Sequence, residues 1–193
     1  MRIFHLLLIL LVSTLAQAQD LAAVRAQVVA KARENKTLSC DFRVTKRSSL
    51  LKEPAVTTGH MTYTKPYAIA WQFTSPSQIK FTTDGQTATV TKDGGTKTID
   101  LKQSKMYKRI KKMTGDEVGI ESLITSDKFD SRLEQTDDWW LIVLTPNKKE
   151  LETFAKQVVL HADKKDSTIK VIVLTSKSGD TTTIELTNIK TSK

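Results

Sequence analysis

The sequence predicts a mainly β protein of the α+β class, in which one large, curved antiparallel sheet carries a long N-terminal helix and a second, short helix. Two observations support this prediction. From residue 37 onward, short runs of alternating apolar and polar residues are separated by turn signals, which indicates roughly ten or eleven strands in meander order. Between residues 20 and 37, one segment has the 3.6-residue apolar period of a long amphipathic helix.

The first eighteen residues have the pattern of a cleavable export signal. Arg2 supplies positive charge, residues 3–12 are almost continuously apolar, and Ala16-Gln17-Ala18 is a small-x-small cleavage site. The apolar run is too short to span a membrane. We therefore expect residues 1–18 to be a signal peptide and residues 19–193 to form one exported domain.

The predicted long helix covers residues 21–34. Asp20 is a suitable N-cap, and the apolar positions recur at helical spacing, with arginine and lysine on the opposite side. The apolar stripe contains Leu21, Val24, Val28, Val29 and Ala32.

The block 59–86 gives the clearest strand signals. Lys65-Pro66 and Ser75-Pro76 interrupt the chain, and Asp84-Gly85 is a hairpin turn signal. Between them, large apolar residues alternate with small or polar ones, so one face of each strand is apolar. This face, extended to the strand around residue 42, is predicted to point inward with Phe42, Val44, Tyr63, Ile69, Trp71, Phe73 and Phe81.

A second helix is predicted within residues 116–126. Its apolar residues Ile120, Leu123 and Ile124 have i, i+3, i+4 spacing. A helix this short depends on packing for its stability. From sequence alone it is either a movable lid over an apolar cavity or an ordinary connector.

Charge and cysteine content restrict the possible roles of the chain. The formal net charge of +9 suits an anionic membrane surface or an acidic protein, and an exported protein is not expected to bind nucleic acid. The densest basic cluster, residues 105–112, is either a solvated strand and loop or a binding patch. Cys40, the only cysteine, is interpreted as a buried small apolar residue rather than a reactive thiol.

No convergent catalytic set is found, so the chain is predicted not to be an enzyme. Of the three histidines, only His60 and His161 remain after export. They could hold a metal with a carboxylate only if the fold brought them together, and no metal or other cofactor is expected. Asp137-Asp138 is interpreted as a turn rather than a catalytic pair, because neighbours in a strand point apart.

The order basic-Pro, four residues, Trp, four residues, Pro, then Asp-Gly in the block 59–86 closely resembles the LolA family of periplasmic lipoprotein carriers. The resemblance implies an incomplete antiparallel β-barrel wrapped over helices that act as a lid on an apolar cavity. The inward residues would then bind acyl chains, and Ile120, Leu123 and Ile124 would cover the cavity.

The resemblance also implies the location and partners of the chain. Members of the family accept acylated lipoproteins from an inner-membrane ABC transporter and deliver them through the periplasm to an outer-membrane receptor or to the outer membrane itself. We also expect this chain to be a monomer. A lipid-binding or envelope-sensing module with the same half-barrel is the alternative function.

Position 65 departs from the pattern of the family. Well-known members have an arginine there, which acts as a latch, a side chain that holds the lid closed through hydrogen bonds. Here the residue is Lys65, which lacks the rigid two-pronged guanidinium. We therefore expect it not to reproduce paired contacts to backbone carbonyls, and we expect a looser hold on the lid.

Overall fold

The computed structural model describes residues 21–104, 108, 119–153 and 155–193. The predicted signal peptide and, apart from residue 108, the predicted basic cluster lie outside these residues. The strands are β1 Thr37–Arg47, β2 Ala55–Thr64, β3 Ala68–Ser75, β4 Ile79–Thr83, β5 Thr87–Lys92, β6 Gly95–Asp100, β7 Phe129–Gln135, β8 Trp139–Pro146, β9 Gln157–Asp163, β10 Ile169–Thr175 and β11 Thr181–Ser192. The helices are α1 at 21–34, a 3-10 turn at Leu101–Gln103 and α2 at Ile120–Thr125.

All eleven described strands belong to one open antiparallel sheet, in the order β6-β5-β4-β3-β2-β1-β11-β10-β9-β8-β7. Two meanders, β1–β6 and β7–β11, are joined because β1 pairs with β11 along most of its length. The sheet does not close between β6 and β7, so the molecule is an incomplete β-barrel. The predicted fold class is confirmed.

The strand register gives the sheet two chemically different faces. Phe42 on β1 lies opposite Gly59 on β2 and Leu186 on β11, and Gly59 lies opposite Phe73 on β3. Since neighbouring partners in a sheet share a face, these residues share one face with the buried residues of β8 and β9. We call this the inner face, because the helices pack on it, and the opposite side the outer face.

The main apolar core lies between the helices and β7–β10. α1 contributes the predicted stripe residues Val24, Val28 and Val29, all buried, and α2 contributes Ile124. The sheet side of this core consists of Phe129, Ile142, Leu144, Val158, Leu160, Ala162 and Ile169, with Leu151 and Ala155 from the β8–β9 connection.

The predicted turns are found where they were expected. The Asp84 carboxylate accepts backbone hydrogen bonds from Gln86 at 2.8 Å and Thr87 at 2.7 Å, and these bonds hold the pKa of Asp84 below its ordinary value. Gly85 has a φ of 90°, which is favourable for glycine and strained for other residues. Residues 136–138 connect β7 to β8, so Asp137-Asp138 belongs to a turn.

Candidate functional site

Aromatic side chains form a cluster on the inner face of the β1–β4 half of the sheet. The ring centroids of Phe42 and Trp71 are 4.8 Å apart, and those of Phe42 and Phe73 are 5.4 Å apart in an edge-to-face arrangement. Trp71 and Phe73 are two residues apart on β3, with centroids 6.1 Å apart. These separations lie in the range in which aromatic pairs attract one another.

Gly59 makes this cluster possible, a role that sequence reasoning missed. A Cβ atom at Gly59 would overlap the Gln72 carbonyl oxygen and would come within 2.5 Å of the Phe42 ring. Because glycine has no side chain, the Phe42 ring can lie across β2 and contact the aromatic residues of β3. A lone Gly in a predicted strand, opposite a run of aromatics, was the available signal.

All seven predicted wall residues lie on the inner face, although they differ in burial. Phe42 is only 2% exposed and belongs to the core. The other members are half-buried and keep accessible surface: Val44, Tyr63, Ile69, Trp71, Phe73 and Phe81. Their role in lipid binding stays a prediction.

An apolar cavity of about 90 Å³ lies on the other half of the inner face, beneath α2. Its wall contains no polar residue: Ile120, Leu123, Phe129, Pro146, Leu151, Ala155, Val158, Ile172 and Leu174. None of the predicted wall residues lines it, but Ile184 and Leu186 of β11 join the two regions, since they pair with Val44 and Phe42. The sequence did not distinguish these strand residues from ordinary core.

The predicted lid residues all lie on α2 and all face the core. Ile124 is buried, and Ile120 and Leu123 pack against the core while lining the cavity. The helix begins at Ile120 and is only six residues long in the described part of the chain. The first residues of the predicted helix, 116–118, lie outside the described residues.

Lys65 connects the two helices on the inner face. Its ammonium nitrogen Nζ donates hydrogen bonds to the carbonyl oxygens of Ala32 at 3.0 Å and Arg33 at 3.1 Å, in the last turn of α1. It also lies 3.4 Å from Oε1 of Glu121, a residue of α2 that is only 8% exposed. Because carbonyls at a helix C-terminus lack helical partners, a cation there is favourable.

Lysine therefore reaches two carbonyls in spite of lacking a guanidinium. Three N–H groups on one nitrogen suffice for two carbonyls and a carboxylate. The expectation that a lysine could not make paired contacts to backbone carbonyls is wrong. Whether Lys65 holds the lid more loosely than an arginine would stays a prediction.

Arg25 on α1 makes a second connection to α2. Its Nη2 donates a 2.5 Å hydrogen bond to the Ile124 carbonyl oxygen, and its Nη1 donates to Ser131 Oγ of β7 at 3.1 Å. The helix α2 is thus held in its first turn through Glu121 and in its last turn through Ile124. Sequence reasoning missed this contact, because it assigned Arg25 to the polar side of the helix.

The hydrogen-bonded polar side chains of β1 and β2 lie on the outer face. His60 lies 3.0 Å from Asp41 Oδ1 and 3.1 Å from Ser39 Oγ, and Asn188 donates to Asp41 Oδ2 at 2.7 Å. Hydrogen bonds from Asn188 and His60 hold the pKa of Asp41 below its ordinary value. These side chains are largely solvent-exposed and lie on the face opposite the cavity.

The histidines His60 and His161 lie too far apart to share a metal ion. His60 on β2 and His161 on β9 are separated by four strand spacings, or about 19 Å at the usual spacing. Among the described residues, no group of three or more His, Cys, Asp or Glu is arranged to hold a metal. No helix in the described ranges has the length and apolar character needed to cross a membrane.

Comparison with solved structures identifies the same half-barrel in other bacterial proteins. An uncharacterized conserved protein from Thermus thermophilus gives a TM-score of 0.55 at 8% identity, covering 87% of both chains. The MucA/MucB complex of Pseudomonas aeruginosa gives a TM-score of 0.52 at 13% identity, covering 90% of this chain and 58% of that chain. A LolA superfamily protein from Nitrosomonas europaea gives a TM-score of 0.43 at 11% identity, covering 86% of this chain and 92% of that chain.

Structural likeness at these identities shows the fold alone. A search of curated protein sequences found no significant match. The profile of the family described as outer membrane lipoprotein carrier protein LolA matches residues 33–193, which is most of the chain and includes every strand. This chain is therefore a member of the LolA family.

Proposed function

We propose that this protein carries lipoproteins through the periplasm with their acyl chains held against its inner face. Membership of the LolA family identifies it as a lipid- or lipoprotein-binding module of the bacterial envelope. The proposal adds the direction of transport: cargo is received from an inner-membrane ABC transporter and delivered to the outer membrane. No catalytic step is needed, since cargo is bound and released unchanged.

The observation that carries the proposal is the apolar inner face, whose β1–β4 half keeps half-buried aromatic side chains. Acyl chains need apolar area rather than specific polar contacts, and each buried methylene contributes about 0.8 kcal/mol. Trp71, Phe73 and Phe81 are half-buried and leave apolar surface for such chains. The polar network of Asp41 and His60 lies on the outer face, away from this surface.

The small size of the cavity supports the proposal that α2 covers it in a closed state. A cavity of about 150 Å³ holds one benzene molecule, whereas the cavity beneath α2 measures about 90 Å³. An acyl chain is longer than benzene and requires more room. Loading therefore requires α2, which supplies Ile120 and Leu123 to the cavity wall, to move away from the sheet.

Photo-cross-linking tests the binding surface directly. Phe73 on the inner face and its neighbour Gln72 on the outer face are each replaced by p-benzoylphenylalanine. The two probes then differ only in the face of the sheet on which they lie. We expect an acylated lipoprotein to cross-link from position 73 and not from position 72, and expect the same lipoprotein without acyl chains to cross-link from neither. Equal cross-linking from both positions, or none from position 73, contradicts the proposal.

A lipid-binding or envelope-sensing module is the second candidate. The observation that favours it is the fold shared with MucB, which was determined in complex with another protein, MucA, so this half-barrel also occurs in a protein with a protein partner. The same probes distinguish the two functions. Cross-linking of free phospholipid at position 73, in preference to lipoprotein, supports the sensor.

A further inference from the structure

The loop that joins β1 to β2 presents apolar side chains to solvent. Leu50 is 91% exposed and Leu51 is 42% exposed, and both are among the most exposed large apolar residues of the described chain. Single exposed leucines are common, but two adjacent leucines at the tip of a loop form a small exposed apolar patch.

Local hydrogen bonds stabilise the turn that carries these two leucines. The Leu51 N–H donates to the Ser48 carbonyl oxygen at 3.0 Å, and the Leu50 N–H lies 3.3 Å from Ser48 Oγ. The Ser48 hydroxyl and the Ser49 backbone also contact the Asp180 carboxylate of the neighbouring β10–β11 turn, which lowers the pKa of Asp180. The turn that carries Leu50 and Leu51 is therefore stabilised both by its own hydrogen bonds and by contacts to the β10–β11 turn.

Cations flank the two leucines. Three basic residues lie close in sequence to Leu50 and Leu51: Lys46, Arg47 and Lys52. Glu53 is the only acidic residue between positions 46 and 54. All three cations are exposed, and the whole chain has a net charge of +9. An apolar tip with a basic surround is complementary to an anionic bilayer, where leucine enters the acyl region and the cations contact headgroups.

The loop lies at the same end of the sheet as the cavity. In an antiparallel sheet, the end of β1 lies at the same edge as the start of β11, the end of β10, the start of β9, the end of β8 and the start of β7. The cavity-lining residues Phe129, Pro146, Val158 and Leu174 are within two positions of those strand ends. A bilayer that contacts the loop therefore faces the end of the molecule where the cavity is found.

We propose that the loop of residues 48–54 docks this protein onto anionic membrane surfaces by inserting Leu50 and Leu51, with Lys46, Arg47 and Lys52 contacting lipid phosphates. Docking places the cavity end of the half-barrel beside the bilayer from which acyl chains arrive or into which they depart. The inference concerns a contact with lipid headgroups and does not depend on which cargo the inner face holds.

Vesicle co-sedimentation tests the docking surface. The protein is expressed from Gln19, so that the apolar residues 3–12 do not themselves bind lipid. Phosphatidylglycerol–phosphatidylcholine vesicles are compared with pure phosphatidylcholine vesicles. We expect binding to the anionic vesicles only, and we expect Leu50→Asp to weaken it by about tenfold, in line with the loss of one buried leucine.

Matched charge variants separate local docking from net charge. Lys46→Gln, Arg47→Gln and Lys52→Gln together should weaken binding about a hundredfold. Lys36→Gln, Lys102→Gln and Lys165→Gln remove the same charge from exposed sites at the opposite strand ends and should have a small effect.

Three results overturn the inference: no binding of the parent protein to anionic vesicles, unchanged binding of Leu50→Asp, or equal losses in the two triple variants. The first of these would direct attention to a protein partner for the loop. Thermal unfolding checks that each variant is folded, and cross-linking from position 73 reports the inner face separately. Loss of docking with retained cross-linking leaves the proposed function intact.

Discussion

At the scale of single residues, the absence of a side chain at Gly59 decides the shape of the aromatic cluster. We expect Gly59→Ala to destabilise the protein by about 1–3 kcal/mol, because overpacking a tight contact forces rings and backbone apart. Urea unfolding measures the change. Gly95→Ala is the control, since a Cβ there would meet only the Lys92 carbonyl oxygen, at 3.5 Å. Equal effects of the two substitutions would contradict this account of Gly59.

Cys40 is the other residue whose chemistry is set by its surroundings. It is buried, which confirms the interpretation made from the sequence. Burial and, secondarily, the Asp41 carboxylate raise the pKa of its thiol from 9.0 to about 11. At neutral pH the native thiol is therefore protonated and does not react as a thiolate.

The pKa of Cys40 predicts a loss of stability at alkaline pH. Between pH 9 and about 11 the unfolded chain loses the thiol proton while the folded chain retains it. The free energy of unfolding therefore falls as pH rises through this range, by roughly 1.4 kcal/mol for each pH unit. We expect Cys40→Ala to remove this part of the slope in pH-dependent urea unfolding. An identical slope in the variant would show that other groups cause it.

At the scale of elements, the short helix α2, the proposed lid, depends on contacts from its surroundings. Six residues cannot form a stable helix alone. Its buried Glu121 relies on Lys65 and its Ile124 carbonyl relies on Arg25. The helix is thus held by one side chain of α1 and one from the turn that follows β2.

Removing Lys65 should free the lid. We expect Lys65→Met to destabilise the protein by about 1–3 kcal/mol, chiefly because the Glu121 carboxylate is left without a cation. Lys65→Met combined with Glu121→Gln should recover part of the loss. Hydrogen exchange in residues 120–125 should quicken in Lys65→Met and stay unchanged in Lys36→Met, the control at an exposed lysine. If the double variant is as unstable as the sum of the single ones, Lys65 and Glu121 are not coupled.

The strands were predictable from sequence and the contacts of the lid were not. The alternation of Ile69, Trp71 and Phe73 is a local signal that fixes both strand and face. The contacts of Lys65 depend on the β1–β2 register, which brings the end of β2 beside the end of α1: the Lys65 N–H donates to the Lys36 carbonyl oxygen at 2.9 Å. No local pattern encodes that proximity.

At the scale of the whole molecule, one apolar inner face serves two purposes. Over β7–β10 it is covered by helices and forms the core, and over β1–β4 it keeps half-buried aromatic surface. Sequence reasoning placed the site on the aromatic half alone, because apolar residues of β9 and β10 look the same whether they bind ligand or helix. The cavity lies beneath α2, so in the proposed mechanism a movement of this one short helix adds the covered core to the binding surface.

A disulfide that locks this helix to the sheet tests directly whether α2 must move before an acylated lipoprotein can load. Leu123→Cys and Leu174→Cys, from α2 and β10, both line the cavity and are introduced with Cys40→Ala to avoid mispairing. Thr58→Cys and Thr74→Cys form the matched control on the outer face, where the two hydroxyl oxygens are 3.3 Å apart. Loading of an acylated lipoprotein is followed before and after reduction. We expect the α2 cross-link to block loading, reduction to restore it, and the control cross-link to have no effect. Loading at the normal rate by the oxidised α2 variant would show that α2 does not have to move.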